Sequence, residues 1–530
     1  MYSRVTRSIM INGELKEEFA VEAGVPQGAV LSPFLYAVYI NGLHKALSNL
    51  GLGIMVYGRR VPLLLYADDI VLLAASGDEL QAMLDVVTVY AKQWRFNTNH
   101  GKSNVVVLGS RSQKLAAVSG CWYLGGRLLA VLDEYKYLGA ESGKASGSAG
   151  RWNSLLGRLH AKAKQSLACL SYQCGGSDGL RPRTAIGHWK CTVQPVCEYA
   201  CVLWEGETSE AWVSKLESVQ YVFGKAALGV HGNPAAAGVR AELGLVELQF
   251  RRQALKLRWW DRLCSVLPER LLSLVFRRRH NEILSGGARY SGLQSMKDLL
   301  LSYGFSEEWL QRRSDLKVNV SWTTEVKAVV NLRALASASA NIAGRSSLSL
   351  LSLRPHGIAH YLDDRKNMAG TRLLAKVRLG HIMVMATVAR MLGWPANRAL
   401  CLLCHDDIES VRHFVQDCPV LDRSRAKFVR GLELPLSLSG AVGLERLDML
   451  RRSGSPLLDS VISCSVATSG DGDRCQVDAA VESAVKNCLS AMWRIRESVL
   501  GRFGVAAGRL VVSPPSGPRA AELIARQEAN

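Results

Sequence analysis

The run LLLYADDIVLL (residues 63–73) sets two adjacent carboxylates, Asp68 and Asp69, in the middle of an otherwise apolar stretch. A buried charge is costly unless a cation or a hydrogen-bonding partner compensates it. Either the acids occupy an exposed turn between two buried strands, or they hold metal from that turn. A hairpin over residues 61–74 satisfies both arrangements. On the dipeptide alone, a solvated turn is sufficient.

The flanking segments give that hairpin a setting. Upstream, SIMINGELKEEFAV (8–21) reads as a second hairpin, with Asn12-Gly13 supplying the positive φ angles of a tight two-residue turn. In GVPQGAVLSPFLYAVYINGLHKAL (24–47), residues 24–28 form a loop. Ser32 is expected to cap the following helix, with Pro33 in its first position. Downstream, Ser76 and Glu79 have the spacing of a capping box. Leu80, Leu84, Val87, Ala91 and Trp94 then repeat as one buried stripe. A strand, SNVVVLG, follows Lys102. Strand pair, helix, strand pair, helix, strand is the order of an α+β sheet domain. Rigid strands would hold the Asp68 and Asp69 oxygens while the turn leaves them open to a substrate. Divalent ions bound there would suit nucleotidyl transfer, activating a 3′-hydroxyl and stabilising the leaving pyrophosphate.

The 530 residues suffice for several domains, and 48% are hydrophobic, a globular proportion. Lysine and arginine (65) exceed aspartate and glutamate (46), a formal charge of +19 that suits a polyanionic partner, nucleic acid before membrane surface. No apolar run is long enough to span a membrane, and the start, MYSRVTRSIMING, lacks the apolar core of a secretory signal. Thirteen scattered cysteines give no disulfide framework. The expected setting is therefore reducing, nuclear or cytoplasmic, neither secreted nor membrane-bound.

Beyond the sheet region the pattern turns helical. Trp152, Leu155, Leu159, Ala163, Ser166 and Leu170 share one face; Arg151, Arg158 and Lys162 lie on another. Between residues 251 and 289 there are ten basic residues against three acidic, with Trp259, Trp260 and Phe276 interspersed. Arg251, Arg252, Lys256, Arg258 and Arg262 have helical spacings without forming one clean stripe. Each reads singly as part of a solvated face. Together with Arg277-Arg278-Arg279 they suit phosphate contacts that depend on salt and not on base sequence. The tryptophans read as core. ASASANIAGRSSLSLLSL (336–353) reads as a linker or a loosely packed helix. In CLLCHDDIESVRHFVQDC (401–418), Cys401, Cys404, His413 and Cys418 form C-x2-C-x8-H-x4-C. Such a set suits tetrahedral structural Zn²⁺ with no open position; His405 is a rival ligand, and buried core cysteine is the plain alternative. One more helix fits residues 477–500, ahead of a Pro/Gly-bearing tail read as disordered.

Tyr66-Ala67-Asp68-Asp69, preceded by Gly24-Val25-Pro26-Gln27-Gly28 and the SPFLY helix, resembles a reverse transcriptase palm. Trp94-Arg95-Phe96-Asn97 leading to Gly101-Lys102-Ser103 resembles the next block of that family, and Glu134-Tyr135-Lys136-Tyr137-Leu138-Gly139 its primer-grip turn. Glu242-Leu243-Gly244 and the cysteine cluster are similar to the distal region of LINE-type non-LTR retrotransposon polymerases. The resemblance covers most of residues 8–420.

It implies an RNA-directed DNA polymerase that adds dNTPs to a DNA primer on an RNA template. The implied fold is α+β: a partial right-hand palm with an antiparallel sheet and helices (1–142), then a mainly helical thumb and connection region (143–335). A low-complexity linker (336–369), a helix with a zinc-knuckle-like segment (370–430) and a helical extension with a tail (431–530) complete the expected organisation. Asp68 would ligate the catalytic Mg²⁺, with Asp69 assisting. Gln27 and Gly28 would lie against the incoming nucleotide and template, and Tyr66 near the primer end. Lys102 would approach the triphosphate and protonate pyrophosphate, or be an ordinary surface lysine. Tyr137, Leu138 and Gly139 would steady the primer terminus, although Tyr135, Tyr137 and Leu138 equally suit strand core.

The pattern also departs from the family. Its two-metal site uses another aspartate on an earlier strand, and MYSRVTR contains no acid. Glu14, Glu17, Glu18 and Glu22 belong to the first hairpin and its exit. The resemblance therefore implies the carboxy-terminal part of a larger polymerase, without fingers or first palm motif, which binds nucleic acid but needs the amino-terminal half to extend a primer. A non-catalytic nucleic-acid-binding fragment with a zinc knuckle is the alternative.

Overall fold

The computed structural model describes residues 5–21, 24–108, 120–133, 135–142, 151–175, 179–287, 290–311, 321–345, 348, 351, 359–362, 367–395, 398–463 and 472–502. Two compact units result, one of residues 1–154 with 262–294, the other of 155–261 with 295–530. The principal helices are α1 (Ser32–Asn49), α2 (Gly77–Trp94), α3 (Asn153–Cys174), α4 (Glu210–Leu228), α5 (Leu248–Ser265) and α6 (Leu271–Leu284). They continue with α7 (Trp322–Ala343), α8 (Met368–Arg378), α9 (Met385–Leu392), α10 (Asp422–Ser437) and α11 (Gly472–Arg502).

In the first unit, strands β1 (Val5–Ile11) and β2 (Glu14–Val21) pair antiparallel. Asn12 and Gly13 turn between them at φ 52° and 84°, the primed geometry expected of that dipeptide. Ser32 does not cap α1. Its hydroxyl sits inside the first turn and donates to the Pro26 carbonyl at 2.6 Å, while Leu31 takes the cap position without a side-chain bond. A serine hydroxyl can bond backward to the preceding backbone as well as forward. Here it ties the Gln27 loop to the helix.

β3 (Ile54–Val56) pairs with β4 (Arg59–Val61), and β5 (Leu63–Tyr66) with β6 (Asp69–Leu72). Ser76 caps α2 as expected, accepting from the Glu79 N–H at 3.2 Å. The Glu79 carboxylate in turn accepts from the Ala75 and Gly53 N–H groups, each at 2.6 Å, fastening the helix start to the β3 side. The α2 stripe departs at its end: Tyr90 is buried, while Trp94 is 43% exposed. Gly42 explains the exchange, because a Cβ there would lie 2.7 Å from the Tyr90 hydroxyl, which donates to the Tyr39 carbonyl. Ile40, Leu43 and Leu47 of α1 meet Met83, Leu84 and Val87 of α2 in one core.

β7 (Asn104–Val106) pairs with β10 (Ala130–Leu132), β8 (Tyr123–Leu124) with β9 (Arg127–Leu128), and β11 (Tyr135–Tyr137) with β12 (Ala140–Ser142). The antiparallel palm sheet expected from the resemblance is thus divided, among the described residues, into two-stranded pieces, and β7–β10 is parallel. Turns such as Asn12-Gly13 close their own pairs, whereas β7 reaches β10 only through a long connection. The α6 region belongs to this unit: Arg59 donates to the Glu269 carbonyl at 2.7 Å, and the Tyr57 and Tyr290 hydroxyls lie 3.4 Å apart.

The second unit is helical around one large core in which Trp189 stacks on Phe223, ring centroids 4.7 Å apart. The stretch read as a linker enters that core. Residues up to Ala343 continue α7, and Ile342, Leu348, Leu351, Tyr361 and Leu362 are buried. Small residues permit this: a Cβ on Gly238 would stand 2.7 Å from Leu348 and 2.8 Å from Leu379. Glu242 of the Glu-Leu-Gly motif is also interior, accepting from Arg378 at 2.5 Å and from the Tyr361 hydroxyl at 2.9 Å. Gly244 ends its helix at φ 60°. α11 contains the expected 477–500 helix and buries Val481, Val485, Leu489 and Met492. The tail, from residue 503, lies outside the described residues, as do Glu134 and residues 352–358. No helix among the described residues is long and apolar enough to cross a membrane.

Candidate active site and metal centre

Tyr66 pairs with Asp69 at the end of the β5–β6 ladder, leaving Ala67 and Asp68 as the two turn residues. Ala67 has φ 48°. For a residue with a Cβ, that conformation costs roughly 1–2 kcal/mol, and it is a position where glycine would ordinarily stand. Tyr66, Asp68 and Asp69 are all exposed. No ion pair joins Lys102 to either aspartate among the described residues. The acids therefore sit in water on the turn, not in the apolar interior that their sequence neighbours would suggest.

Two tyrosines mark the surroundings. The Tyr36 phenol of α1 is pushed up first by burial and then by the charge of Asp68. The Tyr137 phenol is pushed up by burial and then by Asp69. The turn thus lies within electrostatic reach of the SPFLY helix on one side and the β11–β12 hairpin on the other. That hairpin turns at Leu138 and Gly139, φ 46° and 79°. The Tyr135 hydroxyl donates to the Lys102 carbonyl at 3.3 Å, joining the Lys102 block to it, while the Lys102 side chain is exposed. Gln27 and Gly28 occupy an exposed turn in which the Ala29 N–H faces the Pro26 carbonyl at 3.4 Å, with Gly28 at φ 84°. Tyr36 was not among the expected site residues. Its signal, a polar tip one helical turn beyond Ser32, is too common to single out.

Two exposed carboxylates supply hard oxygen ligands of the kind Mg²⁺ takes, since that ion keeps several waters and binds through one or two carboxylates plus phosphates. The pair fits one such ion. No third ligating side chain joins them among the described residues.

The second site, in the other unit, is closed. Cys401, Cys404, His413 and Cys418 bring one ligand atom each within 4.8 Å of one another. The Cys401 and Cys418 sulfurs are 3.8 Å apart, and Cys404 Sγ is 3.2 Å from His413 Nε2. A tetrahedral ion with bonds of about 2.3 Å to sulfur needs sulfur pairs about 3.8 Å apart. Local backbone builds the site. The Leu403 N–H points at Cys401 Sγ (3.5 Å), and His405 turns the chain at φ 63°. The Cys401 N–H donates to the Asp407 carbonyl at 2.7 Å. A wide turn over His413–Asp417 then returns Cys418, whose N–H donates to the His413 carbonyl at 2.8 Å. His405 is exposed and outside the set. Asp407 Oδ2 lies 3.7 Å from His413 Nδ1, on the side away from the sulfurs. Burial pushes the Cys401 thiol up to about 12, so a thiolate there calls for a cation.

The next layer ties this site to the rest of its unit. Glu409, between the ligand pairs in sequence, is buried and accepts from Arg496 of α11 at 2.6 and 2.8 Å, and from the Met385 N–H at 2.7 Å. Phe414 meets Trp493 edge to face, centroids 5.8 Å apart.

The basic stretch is not uniformly a solvated face. Arg252 is buried and donates to Glu205 at 2.6 Å; Lys256 is buried against the Glu205 carbonyl and Ser295 Oγ. Arg251 pairs with Glu198 at 2.6 Å. The expectation fails at Arg252 and Lys256 because Glu205, distant in sequence, supplies their partner. Trp260 and Phe276 are core, as read.

Residues 1–142 match the family described as reverse transcriptase (RNA-dependent DNA polymerase). The amino-terminal region is thus similar to reverse transcriptase domains, and the relatives it matches are named RNA-directed DNA polymerases of mobile elements. One is the RNA-directed DNA polymerase from mobile element jockey of Drosophila funebris, 28% identical over 213 residues, or 38% of this chain and 21% of the relative. Its Drosophila melanogaster counterpart is 31% identical over 142 residues, 25% of this chain and 14% of the relative. The probable RNA-directed DNA polymerase from transposon X-element of Drosophila melanogaster is 23% identical over 219 residues, 40% and 22% of the two chains. Each match spans about a fifth of the relative's length or less.

Proposed function

We propose that this chain carries the metal-binding turn and part of the nucleic-acid grip of an RNA-directed DNA polymerase that copies an RNA template from a DNA primer. The observation that carries the reading is the Tyr66–Asp69 turn, strained at Ala67, with its acids exposed and charge-coupled to Tyr36 and Tyr137. Asp68 and Asp69 would hold Mg²⁺, which polarises a 3′-hydroxyl and neutralises phosphate charge when bound. Gln27 and Gly28 present an exposed backbone turn to a nucleotide and template. Tyr66 offers a ring to the primer end. Tyr137, Leu138 and Gly139 steady the primer from the facing hairpin, and Lys102 gives a proton to departing pyrophosphate. Cys401, Cys404, His413 and Cys418 hold structural Zn²⁺. The enzyme works in the nucleus or cytoplasm.

Two carboxylates leave a second magnesium ion poorly held, so extension requires a further acid beyond this pair. Replacing Mg²⁺ with Fe²⁺ and peroxide should cleave the backbone near residues 66–70, and Asp68→Asn should abolish that cleavage. Cleavage unaffected by the substitution would remove the metal assignment. In primer extension with RNA template and DNA primer, the chain alone is expected to bind without incorporating dNTPs. Template-directed incorporation that is lost in Asp68→Ala would show a complete site and correct the two-carboxylate account. Binding without Asp68-dependent metal cleavage would favour a non-catalytic nucleic-acid-binding role.

A further inference from the structure

Helix α6, in the first unit, carries arginines that no acid neutralises. Between residues 269 and 282, four arginines stand against two glutamates. Among the described residues, Arg270, Arg277 and Arg278 make no ion pair or side-chain hydrogen bond, and neither glutamate pairs with an arginine. Exposed arginines of the other unit behave differently: Arg251 pairs with Glu198 at 2.6 Å, and Arg451 with Glu433 at 2.9 Å.

Glu282 is the acid spaced to neutralise the run, four residues after Arg278 and three after Arg279. Its carboxylate instead accepts from the Tyr290 hydroxyl, which lies 3.4 Å from the Tyr57 hydroxyl. The Tyr290 phenol is pushed up, first by the Glu282 bond and then by Tyr57, so it stays a neutral donor. Arg279 lies over the Tyr290 ring, its guanidinium carbon 4.7 Å from the centroid. Stacking engages the face of a guanidinium and leaves its in-plane N–H groups open. Arg279 donates none of them to the described residues.

The β3–β4 hairpin adds a second fixed guanidinium. Tyr57 and Gly58 are its two turn residues, at φ 48° and 83°. From this turn Tyr57 reaches Tyr290, and Arg59 Nη1 donates to the Glu269 carbonyl at 2.7 Å. That carbonyl leads into Arg270, the N-cap residue of α6, so Arg59 and Arg270 stand at the same helix end. No acid occupies the first turn of α6, and Glu269 just before it is exposed. Arg59, Arg270, Arg278 and Arg279 are all exposed. Residues 270 and 279 are separated by about 14 Å of helix axis. That is on the order of four nucleotide steps of a stacked strand. A structural role accounts for the Arg59 bond and the Arg279 stacking. It leaves Arg270 and Arg278 without one.

We propose that Arg59, Arg270, Arg278 and Arg279, on the β3–β4 turn and along α6, form a docking surface for the phosphodiester backbone of a nucleic acid. Arginine suits that ligand because each planar fork holds two oxygens of one phosphate. The choice of ligand rests on the nucleic-acid reading above; the surface itself rests on these contacts.

The test measures affinity of the full chain for a labelled 30-nucleotide RNA, single-stranded or annealed to complementary DNA, across a KCl series. Wild type should bind both forms. Arg59→Gln/Arg279→Gln should weaken each about tenfold at low salt and flatten the log–log salt slope by about 1–2. Loss with one form alone would name that form as the ligand. Arg270→Gln/Arg278→Gln removes no bond inside the protein, so it should keep the melting temperature of wild type and flatten the slope equally. It decides the matter if the first pair misfolds. A wild type that binds neither form would undo the underlying nucleic-acid reading; binding with an unchanged slope in either folded pair would overturn this surface alone. So would binding to phosphatidylserine vesicles that depends on these arginines while RNA affinity does not.

Discussion

Asp68 and Asp69 stand in water on a two-residue turn, whereas Cys401, Cys404, His413 and Cys418 are drawn together in a largely buried cluster. The first site is ordered by backbone, a ladder of four residue pairs with Ala67 at positive φ, and two phenols feel the charge of its acids. The second is ordered by a full ligand set, backbone bonds to sulfur, and the buried Glu409–Arg496 pair. The difference is what the two proposed ions would require. A hard cation that must admit phosphates needs an open mouth and few protein ligands. A soft structural cation needs a closed set and contributes folding energy itself. On the proposed assignments, the exposed site would keep its fold without an ion, and the buried one would not.

The strongest challenge to this contrast is metal removal. Chelation, or Cys418→Ser, should abolish stoichiometric zinc and unfold the segment around residues 398–421, because apparent binding energies of about 10–16 kcal/mol are folding energy in such sites. Zinc content by atomic emission and helicity by circular dichroism would show it. Equal zinc in wild type and Cys418→Ser would end the assignment. The Asp68 turn should be indifferent to the same treatment.

Next in size is the Glu409–Arg496 pair. Arg496→Met leaves a buried carboxylate without its partner, a loss of about 3–5 kcal/mol. Thermal or urea unfolding of the second unit would register it, and zinc affinity should fall with it if α11 supports the cluster. A change below 1 kcal/mol would mean that the pair is an ornament of the interface.

Smaller effects belong to the exposed unit. Glu79 is held below the usual carboxylate range, chiefly by the Ala75 N–H. A depressed folded value means its stabilisation is present above the unfolded pKa and fades as pH falls through the folded one. Glu79→Gln should therefore cost up to about 1 kcal/mol at pH 7, and the gap should close as pH falls below the usual carboxylate range. Unfolding curves at the two pH values check the sign. At the Asp turn, Ala67→Gly removes the Cβ from a left-handed position and should raise stability by about 1 kcal/mol or less. A destabilised variant would show that the turn's strain is not where φ places it.

Much of the first unit was legible because its signals are local. Asn12-Gly13 and Ser76 with Glu79 turn and cap the chain as their side chains dictate, over distances of a few residues. Trp94 was misplaced because the packing of Tyr90 against Gly42 is a contact between helices, invisible to the periodicity of either. Cys401, Cys404, His413 and Cys418 were legible as a spacing. Their support by Glu409 and Arg496 was not, since 87 residues separate the pair.

By itself, the sequence determined the acid pair on a hairpin, the neighbouring polymerase motifs, the Cys₃His set and the basic surplus. These are properties of residue type and short spacing, which the chain carries in any conformation. Only the tertiary structure decided that Tyr36 and Tyr137 flank the acids, that β7 pairs with β10, that Arg252 and Lys256 are buried, and that the supposed linker lines a core. Each depends on which distant segments meet, because burial and charge compensation belong to pairs of elements and not to either one alone.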